Sequence, residues 1–233
     1  MVEDIDNKQG QVTTPLPDGR GQVVGIHPFA QFHFCPKCGS PRFVEHDAKS
    51  KHCEDCGFTY YFNPSAATVA LIERPARQPH PQTPPIREGS CCSQQSSDGE
   101  ALPLTGERGA GLEWLCVRRA KDPARGTLDL PGGFSDMFET SEEGVIREVK
   151  EETNLDVDCV EFLFSIPNQY EFSGFLVHTI DMFYRCHVKD TTGARAADDA
   201  GELLWLRPED INPADFGLHS IRRGIEKLLK LQL

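Results

Sequence analysis

The stretch that decides the fold is residues 133–155, GFSDMFETSEEGVIREVKEETNL, which places three glutamates within five positions. At about 100° per residue on a helix, Glu148, Glu151 and Glu152 share one arc about 100° wide. Like charges four residues apart destabilise an isolated helix by about 0.2–0.5 kcal/mol. A cation bound between these glutamates would relieve that repulsion. Hard carboxylate oxygens suit Mg²⁺ or Mn²⁺. The alternative is a solvated acidic face that binds nothing.

The same stretch predicts a helix over 140–154 with a defined start and end. Thr140, with Glu143 three residues later, fits a capping box, and Asn154 can adopt the left-handed conformation that ends a helix. The apolar residues of the arc beside the glutamates are expected to anchor the helix to the core, and they are Val145, Ile146 and Val149.

Strand-like segments surround this helix and alternate with helices irregularly. AATVALIE (66–73) and EWLCVRRA (113–120) are rich in strand-forming residues and are predicted to pair as a hairpin. Further strands are predicted at 128–134, 160–167, 175–188 and 202–208. The segment IRRGIEKLLKLQ (221–232) predicts an amphipathic helix. This order of elements indicates an α+β fold rather than a doubly wound sheet.

Composition predicts two segments without secondary structure. Hydrophobic residues make up 38% of the 233-residue chain, which is low for a chain that is packed throughout. Residues 1–31 are expected to form a disordered tail, and a Pro-, Ser-, Gln- and Gly-rich segment at about 75–111 a disordered insertion. The predicted domains are a small module at 32–62 and a larger domain at 63–233 that contains the insertion.

The net charge and the first residues of the sequence limit which partners and which cellular location we expect. Lys and Arg total 24 against 36 Asp and Glu, and the net charge of −12 disfavours extended binding to nucleic acid phosphates. The sequence lacks a basic start followed by an apolar run, and it lacks an apolar stretch of about 18 residues. We therefore expect a cytoplasmic protein without a membrane span.

Four cysteines in residues 32–62 form two CxxC pairs, CPKC (Cys35, Cys38) and CEDC (Cys53, Cys56), with fourteen residues between the pairs. This spacing suits four thiolates around one Zn²⁺ in a zinc ribbon. The alternatives are two disulfides or a redox pair, which the lack of a secretion signal disfavours. The predicted zinc is structural, because four protein thiolates leave no coordination position open for a substrate.

The spacing within residues 133–155 resembles the signature of the Nudix hydrolases. The matching positions are Gly133, Glu139, Arg147, Glu148, Val149, Glu151, Glu152 and Leu155. The departure is Asn154, where the family usually has glycine. The resemblance implies an α/β/α sandwich with a mixed sheet and a pyrophosphohydrolase activity, the metal-dependent hydrolysis of a diphosphate bond in a nucleoside diphosphate derivative.

The same resemblance implies roles for individual residues. The implied metal-binding groups are the side chains of Glu148, Glu151, Glu152 and Glu202 and the backbone of Gly132. Arg147 is expected to pair with Glu139 and hold the loop against the helix. Glu151 is the expected general base, which accepts a proton from the attacking water.

A four-cysteine ribbon before such a domain is similar to the NADH pyrophosphatases, from about Phe32 to the C-terminal helix without the insertion. Their signature SQPWPFPxS corresponds here to SIPNQYEFS (165–173), which keeps both serines, the first proline and an aromatic residue at the sixth position but lacks the tryptophan. The resemblance implies a nucleotide substrate such as NADH, bound in part by Asn168, Tyr170 and Phe172. It also implies that the ribbon braces the catalytic domain or forms a homodimer.

The altered segment 165–173 and the added ribbon leave a second class of function open. A nucleotide-binding sensor or regulator could use the same fold without hydrolysis. Retention of every carboxylate of the signature counts against this alternative, because a sensor does not need them.

Overall fold

The structure is a computed structural model that describes residues 11–15, 22–26, 28–76, 111–172, 175–198 and 200–231. The predicted insertion lies almost entirely outside the described residues. The chain divides into two compact units, Met1–Ala67 with Pro167–Asp181, and Thr68–Ile166 with Met182–Leu233. This division differs from the predicted boundary at residue 63, because residues 63–67 and 167–181 group with the first unit. No helix in the described ranges is long and apolar enough to cross a membrane.

The first unit begins with two strands, β1 (Gln11–Pro15) and β2 (Gln22–Ile26), which pair antiparallel. The short helix α1 (Pro28–Gln31) follows. The sequence analysis did not predict these two strands within residues 1–31. The β-branched Val and Thr residues of QVTTP and QVVGI favour extended, paired backbone.

The cysteine module contains a three-stranded sheet, in which β4 (Ser50–Cys53) pairs antiparallel with β3 (Phe43–Asp47) and β5 (Thr59–Tyr61). Its hydrophobic core is small. The buried members are Cys35, Phe43 and Cys53, and the partly buried ones are Phe32, Cys56 and Phe58. A core of this size needs a metal or another cross-link to be stable.

The second unit is built on the predicted hairpin. Strand β6 (Ser65–Pro75) pairs antiparallel with β7 (Leu112–Arg119), and Glu73 lies opposite Trp114. This confirms the predicted pairing of 66–73 with 113–120, although the two strands are far apart in the sequence.

The remaining elements complete a seven-stranded sheet and two helices. They are β8 (Leu128–Asp129), β9 (Gly132–Phe134), α2 (Ser141–Thr153), β10 (Val157–Phe172), β11 (Phe175–Val188), β12 (Ala200–Leu206) and α3 (His219–Leu231). The sheet order is β10-β11-β6-β7-β12, with β8 beside β7 and β9 beside β6. The α+β class and the mixed sheet are confirmed.

Alternating residues of β6 build two cores on opposite faces of the sheet. Val69 and Leu71 belong to a core that includes Ile221, Ile225 and Leu228 of α3. Ala70 and Ile72 belong to a second core that includes Val145 and Val149 of α2. The sheet therefore lies between the two helices, which is the predicted α/β/α sandwich.

Helix α2 begins and ends where its sequence indicates. The Thr140 hydroxyl accepts from the backbone N–H of Glu143, and the Glu143 carboxylate accepts from the N–H of Thr140, so the capping box is complete. Asn154 ends the helix with a left-handed φ of 60°. One anchoring residue was predicted wrongly: Ile146 is exposed, while Gly144, Val145 and Val149 form the buried apolar face.

Candidate active site and cysteine site

The two CxxC pairs form matching turns. In one turn the N–H of Gly39 donates to the carbonyl of Cys35 over 2.8 Å, and in the other the N–H of Gly57 donates to Cys53 over 2.9 Å. Both glycines have a positive φ, 74° and 71°, which glycine adopts without strain. Each turn therefore presents its two thiols to the same side.

The four thiols converge on one point. All four Sγ atoms lie within 4.8 Å of one another, and the Cys35–Cys56 and Cys38–Cys53 sulfur distances are both 3.7 Å. Four thiolates in tetrahedral geometry at about 2.3 Å from Zn²⁺ would have sulfurs about 3.8 Å apart. All four cysteines are free of disulfides. The donor set and its dimensions thus fit zinc, and the disulfide alternative does not match the geometry.

Arg147 lies at the centre of the acidic site on α2. Its Nε and Nη2 bind both oxygens of Glu139 at 3.1 and 2.8 Å, and its Nη2 also donates to the carbonyl of Phe134 at 3.0 Å. This fork joins the helix to the preceding loop, which is the pairing expected from the sequence. The pKa of Glu139 is lowered, mainly by its hydrogen bonds from Arg147 and second by the N–H of Asp136.

Nη1 of Arg147 also bridges two of the candidate metal ligands. It donates to Glu148 Oε1 at 2.8 Å and to Glu151 Oε2 at 3.1 Å. Within the described ranges, the four cysteines are the one group of Cys, His, Asp and Glu whose ligand atoms all lie within 4.8 Å of one another. The guanidinium thus lies between Glu148 and Glu151, and the oxygens of the three glutamates do not all lie within 4.8 Å of one another.

The three glutamates have different environments. The Glu148 side chain is 15% exposed and that of Glu151 is 49% exposed. Burial raises the pKa of Glu148, and the nearby charges of Glu151 and Asp198 raise it further, against the opposing effect of Arg147. A carboxylate held in this way is stabilised by any additional cation, and oxygen donors of this kind fit Mg²⁺ or Mn²⁺.

Glu152 is buried and turned toward β9. Its Oε2 accepts a 3.0 Å hydrogen bond from the N–H of Gly132. A side chain at Gly132 is excluded, since a Cβ there would lie 2.1 Å from the carbonyl oxygen of Thr68. Gly133 is similarly close to Glu148, whose Oε1 would lie 2.6 Å from an added Cβ. The double glycine thus lets the backbone approach two of the carboxylates.

Glu202, the further metal ligand expected from the sequence, lies on β12 beside Arg118 of β7. Its Oε2 accepts from Arg118 Nε at 3.0 Å. The charge of Asp198, a residue that the sequence analysis did not name, adds to the burial that raises the pKa of Glu148. The sequence signal that could have found it is the acidic pair Asp198–Asp199 immediately before β12.

The candidate substrate-binding residues lie on β10. Asn168 is buried, at 7% exposure, and its Oδ1 accepts no hydrogen bond from the described residues. The backbone of Tyr170 and Phe172 belongs to the same strand, but their side chains lie outside the described part of the chain. The neighbouring Gln169 side chain is hydrogen-bonded to His178 at 3.2 Å.

Comparison with known families identifies the second unit. The NUDIX domain model matches residues 101–228, more than half of the chain. The chain belongs to the Nudix family. A crystal structure of a Nudix hydrolase from Nitrosomonas europaea superimposes with a TM-score of 0.53 at 19% identity, covering 84% of this chain and 90% of that one. At this identity the likeness supports the Nudix fold alone.

Two curated relatives bear on the activity. The ADP-ribose pyrophosphatase of Methanocaldococcus jannaschii is 36% identical over 120 residues, which are 50% of this chain and 63% of that protein. The NAD-capped RNA hydrolase NudC of Deinococcus radiodurans is 29% identical over 171 residues, which are 71% of this chain and 49% of that protein. The Nudix chain thus matches less than two thirds of the length of either relative.

Proposed function

We propose that this Nudix protein is a metal-dependent pyrophosphohydrolase that cleaves the diphosphate bond of a nucleoside diphosphate derivative. One observation carries the proposal: Arg147 binds Glu139, Glu148 and Glu151 together, so the acidic residues of the signature are gathered on one side of α2. A solvated acidic face would not need this organisation. The two relatives named for ADP-ribose and NAD-capped RNA act on substrates of this chemical class.

The oxygen donors proposed for Mg²⁺ or Mn²⁺ are Glu148, Glu151 and Glu152, with the backbone of Gly132 beside them. When bound, the metal neutralises diphosphate charge and lowers the pKa of a water. Glu152 is oriented by the Gly132 N–H, and Glu148 is held by Arg147. Both carboxylates are therefore directed before a ligand arrives.

Glu151 is the proposed general base. Its side chain is 49% exposed, the most open of the three, and its one hydrogen bond described at the site is to Arg147. An exposed carboxylate can reach a water and release the accepted proton to solvent. Arg147 and Glu139 act on the reaction by holding the loop and helix in register.

A dinucleotide such as NADH is the proposed substrate within this class. The four-cysteine module followed by a Nudix domain supports it, and so does the 171-residue match to NudC. The buried Oδ1 of Asn168 has no hydrogen-bond donor among the described residues, and the amine of a base or carboxamide could supply one. Tyr170 and Phe172 are proposed to contribute ring contacts to the same ligand.

The cysteine site is proposed to hold one structural Zn²⁺. The two sulfur distances of 3.7 Å between the CxxC pairs, Cys35–Cys56 and Cys38–Cys53, support this assignment. Four thiolates leave no coordination position for catalysis. Elemental analysis of the purified chain should find one zinc per chain. Cys53→Ser should remove it, while Cys159→Ser, which changes a cysteine of β10, should not.

The decisive experiment is a hydrolysis screen with Mg²⁺ or Mn²⁺ over NADH, NAD, ADP-ribose, dinucleoside polyphosphates and nucleoside triphosphates, with products identified by chromatography. We expect diphosphate cleavage of at least one substrate and its loss in Glu152→Gln. The glutamine keeps an oxygen for the Gly132 N–H, so its thermal unfolding should match the wild type. Failure of the wild type across this panel would contradict the proposal.

The screen also separates the alternative of a nucleotide sensor. Tight nucleotide binding without any product would favour the sensor, whose motivation is the altered segment 165–173.

We also propose a homodimer, a cytoplasmic location and two domains with the limits 32–62 and 63–233. Sedimentation of the full chain at several concentrations would test the dimer.

A further inference from the structure

The segment that leads from β9 to α2 exposes three large apolar side chains next to the acidic site. Phe138 is fully exposed, Met137 is 84% exposed and Phe134 is 47% exposed. They lie within residues 134–138, which are here called the apolar loop. Exposed apolar side chains that occur together, rather than singly, commonly mark a binding surface.

Phe138 also has a backbone conformation that a bulky side chain disfavours. Its φ is 73°, in the left-handed region that phenylalanine rarely adopts. Strained residues of this kind persist where the surrounding structure holds them, and they occur preferentially at ligand sites. Because the ring is not buried, stability alone does not account for a phenylalanine at this position.

Hydrogen bonds hold the apolar loop in one conformation. The N–H of Asp136 donates to Glu139 Oε1 at 2.6 Å. Arg147 Nη2 donates to the same Oε1 at 2.8 Å and to the carbonyl of Phe134 at 3.0 Å. A ring presented by a loop fixed in this way loses little conformational freedom when it binds a ligand.

The apolar loop adjoins the proposed metal ligands at both of its ends. Before it lies Gly133, where an added Cβ would be 2.6 Å from Glu148 Oε1. After it lies Glu139, and the guanidinium that binds Glu139 also binds Glu148 and Glu151. A ligand whose diphosphate is held at these glutamates therefore has its other groups close to the loop.

We propose that Phe138 stacks on the nucleobase of the substrate whose diphosphate is held at Glu148 and Glu151. The inference rests on the proposed function and names a residue that contributes to its specificity. A nucleobase is aromatic and uncharged, and it stacks favourably on a phenyl ring. The strain at Phe138 is then retained because the ring binds the ligand rather than the fold.

The charge and the size of this surface disfavour two other occupants. Asp136, Glu142 and Glu143 are exposed around the apolar loop, and their carboxylates would be repelled by an anionic membrane surface. Three side chains of about 200 Å² each, one of them half-buried, also expose less than the roughly 800 Å² per partner of a stable protein interface. A single base needs only the area of one ring.

The test compares two ligands that differ in the base alone, AMP and ribose 5-phosphate. Each is titrated into the full chain by calorimetry in the presence of Mg²⁺, and neither contains a diphosphate bond. In Phe138→Asn the affinity for AMP should fall about tenfold or more, while the affinity for ribose 5-phosphate should be unchanged. Phe138→Tyr keeps an aromatic ring and should bind both ligands as the wild type does.

Steady-state kinetics provide a second readout on the substrate found in the hydrolysis screen. Phe138→Asn should raise KM about tenfold and change kcat by less than about twofold, since the stack holds the base equally before and during cleavage. The same variant should be more stable without ligand, because asparagine tolerates the positive φ. A ring with a merely structural role would instead lower stability and activity together.

Phe162→Asn is the matched control. Phe162 is 54% exposed on β10, where its ring packs edge-on against Tyr184, and it lies outside the apolar loop. The same change of residue type there should leave both ligand affinities and KM unchanged.

The outcomes separate this inference from the proposed function. A wild type that neither binds AMP nor hydrolyses any substrate removes the proposed function and the inference with it. A wild type that hydrolyses a substrate, with an unchanged KM in Phe138→Asn, overturns the inference alone. Equal losses of affinity for AMP and ribose 5-phosphate would also overturn it, because the ring would then not act on the base.

Two further measurements identify the other occupants. One is co-sedimentation with vesicles of phosphatidylcholine and phosphatidylserine, and the other is sedimentation of the chain at several concentrations. Vesicle binding or self-association that Phe138→Asn abolishes, while its KM is unchanged, would overturn the stack and assign the ring to a membrane or to a second copy of the chain.

Discussion

Arg147 and Glu139 form a two-point ion pair, with Nε–Oε2 at 3.1 Å and Nη2–Oε1 at 2.8 Å. Because the same guanidinium also contacts Glu148 and Glu151, this pair couples the position of the loop before α2 to the position of the acidic residues. A planar fork with five donors can make all these contacts at once.

Arg147→Lys should therefore be a damaging change although it keeps the charge. A lysine ammonium cannot hold Glu139 at two points and reach Phe134 and Glu148 as well. We expect hydrolysis to fall about 100-fold and the free energy of unfolding to fall by about 1–3 kcal/mol. Steady-state rates and urea unfolding measure both. Arg207→Lys, at an exposed arginine, should change neither, and an unaltered rate in Arg147→Lys would refute the role of the fork.

Gly132→Ala should destabilise the protein severely. The new Cβ would lie 2.1 Å from the Thr68 carbonyl oxygen, and φ at this residue is +151°, so both space and backbone oppose it. We expect a loss of about 3 kcal/mol or more in unfolding free energy. Gly126→Ala is the matched comparison, since its φ is +84° but its Cβ meets nothing within 4 Å. That change should cost only about 1–2 kcal/mol, and equal losses would contradict the steric argument.

Phe138→Asn should stabilise the protein. Phe138 has a positive φ of 73° and is fully exposed in the loop before α2. Its backbone is therefore strained, and no burial of its side chain offsets that strain. Asparagine tolerates this conformation better, and we expect a gain of about 1 kcal/mol in unfolding free energy. Thermal or urea unfolding would measure it. Met137→Asn, at the exposed neighbouring position, should give no gain, and a loss in Phe138→Asn would argue that the ring has a partner.

Removal of zinc should unfold the cysteine module. Zinc binding to four thiolates contributes about 10 kcal/mol or more at neutral pH, which exceeds what the small core of Cys35, Phe43 and Cys53 can supply. After treatment with a chelator, amide exchange in 32–62 should become fast, while the amides of α2 should keep their protection. Protection of 32–62 that survives complete loss of zinc would show that the metal is not structural.

Cys116 should make stability fall in alkaline solution. Burial, and secondly the charge of Asp129, raise the pKa of this thiol to about 12. In the unfolded chain this thiol loses its proton at about pH 8.5. The contribution of Cys116 to the unfolding free energy is therefore complete below that pH and is lost as the pH rises toward 12. From about pH 8 to about pH 10 the contribution should fall by about 2 kcal/mol. Cys116→Ala should show a smaller decline in unfolding free energy over this range, and an unchanged decline would contradict the assignment.

The local features of α2 could be predicted because they depend on residues close together in the chain. Thr140 and Glu143 are three residues apart, and their mutual hydrogen bonds need only the first turn of the helix. The turns at Gly39 and Gly57 are equally local. Ile146 was misassigned, because periodicity locates an apolar arc but not the angle at which the sheet meets it.

The sequence by itself determined the family, the acidic helix with its two ends, the cysteine turns and the β6–β7 pairing. Only the tertiary structure decided that Glu152 turns to the Gly132 N–H and that Arg118 holds Glu202. The physical reason is the range of the interactions. Caps and turns are closed by neighbouring residues, whereas the partners of Glu202 and Asn154 depend on strand register and on a hydrogen bond between residues 39 positions apart, Asn154 and Gly193.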